Sequence, residues 1–165
     1  MSRFLSISQL HQGQRSTTTA ARAGISLAGV SLAGFFVMTA PSWAESVHLT
    51  ASLSGAKEVP PNDSKGTGTM TGTYDTMTGK LTWQVTYSGL SGPVTAAHFH
   101  GPAPADKNAG VLVPLPHVKK SPIKGSAVLN KAQAKDLLAG EVYVNIHTKA
   151  HPAGAIRGQV EKMKK

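Results

Sequence analysis

Residues 80–88 alternate without interruption: Leu81, Trp83, Val85 and Tyr87 share one parity, and Thr82, Gln84 and Thr86 the other. Side chains of an extended strand point to opposite faces in turn, so this segment buries one face and wets the other. The same period of two governs Val47, Leu49, Ala51 and Leu53 against His48, Thr50, Ser52 and Ser54. It returns, more briefly, in residues 94–100, 111–115, 123–129, 142–147 and 155–161. Residues 66–75 are rich in Gly and Thr and read as a further strand of modest propensity. Turn chemistry separates these runs, with Pro60-Pro61-Asn62-Asp63 in one loop and Pro102 and Pro104 in another. Residues 76–79 form a turn between two strands and predict a β-hairpin.

One segment breaks the period. Asn130 supplies an N-cap, Lys131-Ala132-Gln133-Ala134-Lys135-Asp136-Leu137-Leu138-Ala139 are good helix formers, and Gly140 is a C-terminal stop. Seven or eight short strands plus one short connecting helix predict an all-β fold. Its expected form is an antiparallel β-sandwich, with a flattened barrel as the near alternative. Leu81, Trp83, Val85, Phe99, Val142, Val144 and Ile156 are the expected core.

Residues 1–44 carry Arg3, Arg15 and Arg22 and no acidic residue, and include an apolar stretch over residues 23–40 before Ser42-Trp43-Ala44. This is the pattern of a secretory signal peptide, cleaved before Glu45. Export then places the protein in a periplasm or beyond, with no membrane span after cleavage. The 121 residues from Glu45 onward suffice for one domain with a real core, and are too few for a two-domain nucleotide-binding enzyme. The chain has no cysteine, which excludes disulfides, thiolate metal centres and thiol catalysis.

From Glu45 on there are 14 basic and 8 acidic residues. The lysines are mostly scattered, clustering only at Lys119-Lys120 and in the basic tail of residues 162–165. Nucleic-acid binding asks for a basic stripe interleaved with aromatics, and that is missing. A solvated basic surface with affinity for an anionic envelope polymer fits better.

The chemistry-bearing residues are histidines. In Val94-Thr95-Ala96-Ala97-His98-Phe99-His100 the two imidazoles share a face while Phe99 points to the core. Val142, Val144 and Ile146 put Tyr143, Asn145 and His147 on the non-core side, and Ile156 and Val160 do the same for Arg157. A His-x-His pair on a strand sits about 7 Å apart at the backbone, close enough for both rings to converge on one ion. A third His from a neighbouring strand completes a site for copper(II) or zinc. Without thiolates or paired carboxylates, calcium and magnesium are poor candidates. The expected metal ligands are His98, His100, His147 and His151, the last folding back from beyond the strand end. His117 is the alternative fourth ligand.

Two blocks carry a family resemblance. One is Ala97-His98-Phe99-His100-Gly101-Pro102-Ala103. The other runs from Ala139-Gly140-Glu141-Val142-Tyr143-Val144-Asn145-Ile146-His147 through Pro152-Ala153-Gly154-Ala155-Ile156-Arg157-Gly158-Gln159-Val160. With the opening Leu53-Ser54-Gly55-Ala56-Lys57-Glu58-Val59-Pro60-Pro61, they resemble the CHRD domain, named from chordin and found in exported bacterial proteins. The resemblance implies one CHRD domain over residues 45–161, a β-rich sandwich of immunoglobulin-like or related type, and no settled enzymatic activity.

A more distant likeness is to copper/zinc superoxide dismutase, a Greek-key sandwich. Ala96-Ala97-His98-Phe99-His100 resembles its strand His-x-His, Val144-Asn145-Ile146-His147 a late copper-binding strand, and Gly154-Ala155-Ile156-Arg157-Gly158 its functional Arg segment. His117 falls where that family places its bridging His. The usual cysteine pair and the His and Asp set of the zinc subsite are absent, so the likeness is to a copper half-site.

The sequence therefore supports an exported binding protein with a histidine-rich surface metal site, serving metal handling or a metal-stabilised interaction in the cell envelope. A copper dismutase-like enzyme, with Arg157 steering the anion, is the second reading. A protein or polymer interaction module without metal is the third.

Overall fold

The computed structural model describes residues 45–164, and the leader expected over residues 1–44 lies outside them. Nine strands follow in chain order: β1 (Ser46–Ser54), β2 (Thr67–Asp75), β3 (Lys80–Ser88), β4 (Val94–His100), β5 (Val111–Pro114), β6 (Ile123–Val128), β7 (Tyr143–Thr148), β8 (Ile156–Gln159) and β9 (Glu161–Lys162). Helix α1 (Lys131–Ala139) lies between β6 and β7. No helix among the described residues is long and apolar enough to cross a membrane.

All strand pairs are antiparallel, and they join into one sheet in the order β5-β4-β7-β8-β1-β2-β3-β6, with β9 pairing β1. β4 and β3 stand far apart in that order, yet Phe99 on β4 and Trp83 on β3 pack edge to face with centroids 5.2 Å apart. The sheet is therefore curled over its own apolar face until it nearly closes. The two layers expected of a sandwich are two halves of one continuous, barrel-like sheet.

The expected core holds. Leu81, Trp83, Val85, Phe99, Val142, Val144 and Ile156 are all buried in a single cluster. The hairpin over residues 76–79 is present as β2–β3, with Tyr74 opposite Leu81. Helix α1 ends where its local chemistry says it should. Asn130 and Gln133 form a reciprocal capping box, and Gly140 terminates the helix at φ 78° with its N–H on the Asp136 and Leu137 carbonyls.

Strands β4, β7 and β8 are adjacent in the sheet. Their core-facing apolar residues Phe99, Val144, Ile146 and Ile156 are fully buried. The alternate residues His98, His100, Tyr143, Asn145, His147 and Arg157 consequently share the opposite face. That face is not bare, because the segments around residues 55–65, 101–110 and 149–155 fold across it. Asn62 donates to the Gly154 carbonyl at 2.9 Å and Arg157 to the Lys107 carbonyl at 2.7 Å, tying these segments down.

Candidate metal centre

Register brings the histidines together. His98 pairs with Asn145 and Ala96 with His147 across β4–β7, so the rings of His98 and His147 are diagonal neighbours on one face. His100 follows two residues along the same strand. One nitrogen from each of His98, His100 and His147 lies within 4.8 Å of the other two. The tightest approach is His98 Nδ1 to His147 Nε2, 3.2 Å. Two nitrogens at that separation, each 2.0–2.1 Å from one ion, subtend roughly 100° there, close to the tetrahedral angle.

Hydrogen bonds assign the tautomers. His100 Nδ1 donates to the Ala109 carbonyl at 3.1 Å, and His147 Nδ1 donates to the Pro152 carbonyl at 3.1 Å. Both rings are left with an unprotonated Nε2, the pattern by which a protein orients an imidazole ligand. His147 Nε2 accepts from His98 Nδ1 when no ion is present. His100 Nε2 is buried and has no hydrogen-bond partner. Such an orphaned lone pair is costly, and its ring stands with its centroid 5.4 Å from that of His98 and 6.1 Å from that of His147. For His98 to coordinate through Nδ1, its ring proton moves to Nε2.

All three rings resist protonation. Burial is the main cause in each case, pulling the pKa below the ordinary histidine value. Mutual repulsion from His147 and then His100 adds to this at His98. The carbonyl bonds at His100 and His147 act in the opposite direction without reversing it. Neutral imidazoles are the form that binds metal.

The remaining expected residues are placed as follows. His151 Nε2 sits 4.0 Å from an Asp63 carboxylate oxygen, and His151 is not one of the three converging rings. Nor is His117, which occupies a positive-φ turn (φ 55°) after β5. Arg157 does point away from the core, but it is not the surface cation expected of an anion-steering residue. It is only 1% exposed, and its guanidinium donates to Asn108 Oδ1 and to the Pro104 and Lys107 carbonyls. The site as a whole is correspondingly recessed rather than on an open surface: His100 is buried and His98 and His147 are half-buried.

The structure adds residues that the sequence did not single out. Glu58 is buried against Asn145, whose Nδ2 donates to its Oε2 at 3.1 Å. Burial pushes the Glu58 carboxyl up to about 7, against the lowering effects of nearby Arg157 and of the Asn145 bond. Gly154 permits this contact, since a Cβ there would lie 2.7 Å from both Glu58 oxygens. Ala109 and Pro152 enter through backbone groups, which no side-chain pattern reveals. Gln159 donates to the Ala103 and Gly140 carbonyls at 2.9 and 2.7 Å.

No curated protein and no solved structure matches the chain. A family model described as the CHRD domain matches residues 49–160, from Leu49 in β1 to Val160 just after β8, a span that includes all three converging histidines. The chain belongs to the CHRD domain family.

Proposed function

We propose that this chain is an exported CHRD-domain binding protein whose recessed three-histidine group binds copper or zinc, for metal handling in the cell envelope or for a metal-stabilised interaction there. The observation that carries this reading is the buried, unpartnered Nε2 of His100, on a ring that brings one nitrogen within 4.8 Å of a nitrogen from each of two other histidines. Three neutral imidazoles suit copper(II) or zinc(II), and they leave a fourth position for water or a partner's group. Among the described residues no carboxylate joins the three nitrogens, so hard oxygen-seeking cations have little to bind.

Titrating the purified protein, free of any affinity-tag histidines, with copper(II) and zinc(II) tests the proposal beside a His98→Ala/His147→Ala variant. Stoichiometric binding by the wild type and its loss in the double variant is the expected result. Equal binding by both proteins rejects the site and favours an interaction module without metal. Redox turnover of superoxide by the copper-loaded protein would instead move the reading to a dismutase-like enzyme.

A further inference from the structure

Behind His100 stands a column of stacked groups. The Tyr143 ring lies parallel to the His100 ring, with centroids 4.9 Å apart and an interplanar angle of 4°. The Arg157 guanidinium lies over the Tyr143 ring, its Cζ 3.4 Å from the centroid. Stacking of this kind fixes the plane of each member and is strengthened by desolvation of the cation.

The same two residues also grip one loop. Arg157 donates to Asn108 Oδ1 at 3.0 Å, to the Lys107 carbonyl at 2.7 Å and to the Pro104 carbonyl at 3.3 Å. The Tyr143 hydroxyl accepts from the Ala109 N–H at 3.1 Å and donates to the Ala109 carbonyl at 3.3 Å. That carbonyl is the acceptor for His100 Nδ1. Residues 101–110 contain no helix or strand, and the loop's internal backbone bonds, from Lys107 N–H to the Pro104 carbonyl at 3.1 Å and from Gly101 N–H to the Gly110 carbonyl at 3.3 Å, do not involve Ala109 itself.

We propose that Tyr143 and Arg157 are positioning residues of the metal centre, holding the ring plane of His100 and the Ala109 carbonyl so that His100 Nε2 stays unprotonated and directed at His98 and His147. This rests on the metal reading above. His147 has an independent holder in the Pro152 carbonyl, so the effect is specific to one ligand of the three. Arg157 uses both its planar face and its fork of donors, a combination that a lysine ammonium cannot reproduce. Tyr143→Phe, by contrast, keeps the stack and removes only the two hydrogen bonds to Ala109.

The test combines zinc(II) titration with nitrogen NMR of the histidine rings in the ion-free protein, on wild type, Tyr143→Phe, Arg157→Lys and His100→Ala. Zinc is chosen because it has no redox chemistry of its own. Tyr143→Phe is expected to bind zinc about 10–100-fold more weakly, the usual effect of removing a group that orients a ligand. Its His100 ring should show a mixture of tautomers where the wild type shows only the Nδ1–H form, with the His147 signal unchanged. Arg157→Lys should move both readouts in the same direction; if it fails to fold, Tyr143→Phe alone decides. Wild-type affinity and a single His100 tautomer in Tyr143→Phe, with binding lost in His100→Ala, overturn the positioning role while leaving the metal reading intact. A wild-type protein that binds neither zinc nor copper overturns both.

Discussion

Trp83 and Gly125 face each other across the β3–β6 ladder, and the indole occupies the space a side chain at 125 would fill. A Cβ added at Gly125 would lie 2.7 Å from Trp83 Cζ2 and 2.9 Å from Cε2. The register partner of Trp83 on the other side is also a glycine, Gly72. The indole is thus admitted over Gly125, while the space over Gly72 is filled by Met70 Cε, 2.7 Å from where a Cβ would lie; from its place the indole reaches Phe99 on the far half of the sheet.

Trp83→Ala should cost roughly 3–5 kcal/mol, the range for deleting a buried large aromatic. Gly125→Ala should cost about 1–3 kcal/mol by overpacking. Combining Gly125→Ala with Trp83→Phe should cost less than the sum of the two, since the smaller ring vacates the contested space. Urea denaturation of wild type, Gly125→Ala, Trp83→Phe and the double variant checks this, and strict additivity would show that the two residues do not compete.

Asn130→Ala should destabilise the domain by about 1 kcal/mol, because both halves of the capping box with Gln133 are lost. The same substitution at solvent-exposed Asp63 is expected to have little effect. Equal denaturation midpoints for wild type and Asn130→Ala would count against the cap.

Glu58 makes stability depend on pH in a defined direction. Its folded-state pKa, about 7, lies above the ordinary 4.5, so the folded protein holds a proton that the unfolded chain releases in between. The contribution is fully present below pH 4.5 and is lost as pH rises through 7. Glu58→Gln cannot ionise, so its stability relative to wild type should rise from pH 4.5 to 7 and level off above. Denaturation midpoints of the two proteins at pH 4, 6 and 8 measure this. A constant difference would mean that the carboxyl is solvated in the folded state.

The histidine rings act with the opposite sign. Their folded pKa values lie below 6.5, so the folded state favours neutral rings, and stability declines as pH falls below 6.5. For metal binding the same lowering delays competition from protons. Zinc affinity should therefore begin to fall at a more acidic pH than 6.5, and then steeply, because up to three rings protonate. Titrations between pH 7.5 and 5 read the onset; a decline already under way between pH 7.5 and 6.5 would show rings with ordinary basicity.

Much of the scaffold is legible in the sequence because its signals are local. Asn130, Gln133 and Gly140 define α1 by bonds to their own neighbours in the chain, and the parity of Phe99 against His98 and His100 follows from strand geometry alone. Convergence of His98, His100 and His147 was legible for the same reason, since adjacent strands of known parity share a face. What escaped was everything set by the irregular segments. The burial of Arg157 depends on the path of residues 104–108, and the turn of His151 toward Asp63 depends on where residues 55–65 cross the sheet. Glu58 carried no signal as a buried residue, because its concealment comes from Asn145 and Gly154, far away in the chain.

The sheet ends at β5 and β6, and each end is a poor template for another chain. β5 has only four residues and closes on Pro114, which lacks the N–H that a newly added strand would need. β6 begins directly after Pro122 and presents the exposed ammonium of Lys124 along its length. Short strands, prolines and lysines at an edge all discourage recruitment of a further strand. A nine-stranded sheet that does not fully close thus keeps its free rims from acting as seeds for fibrous assembly.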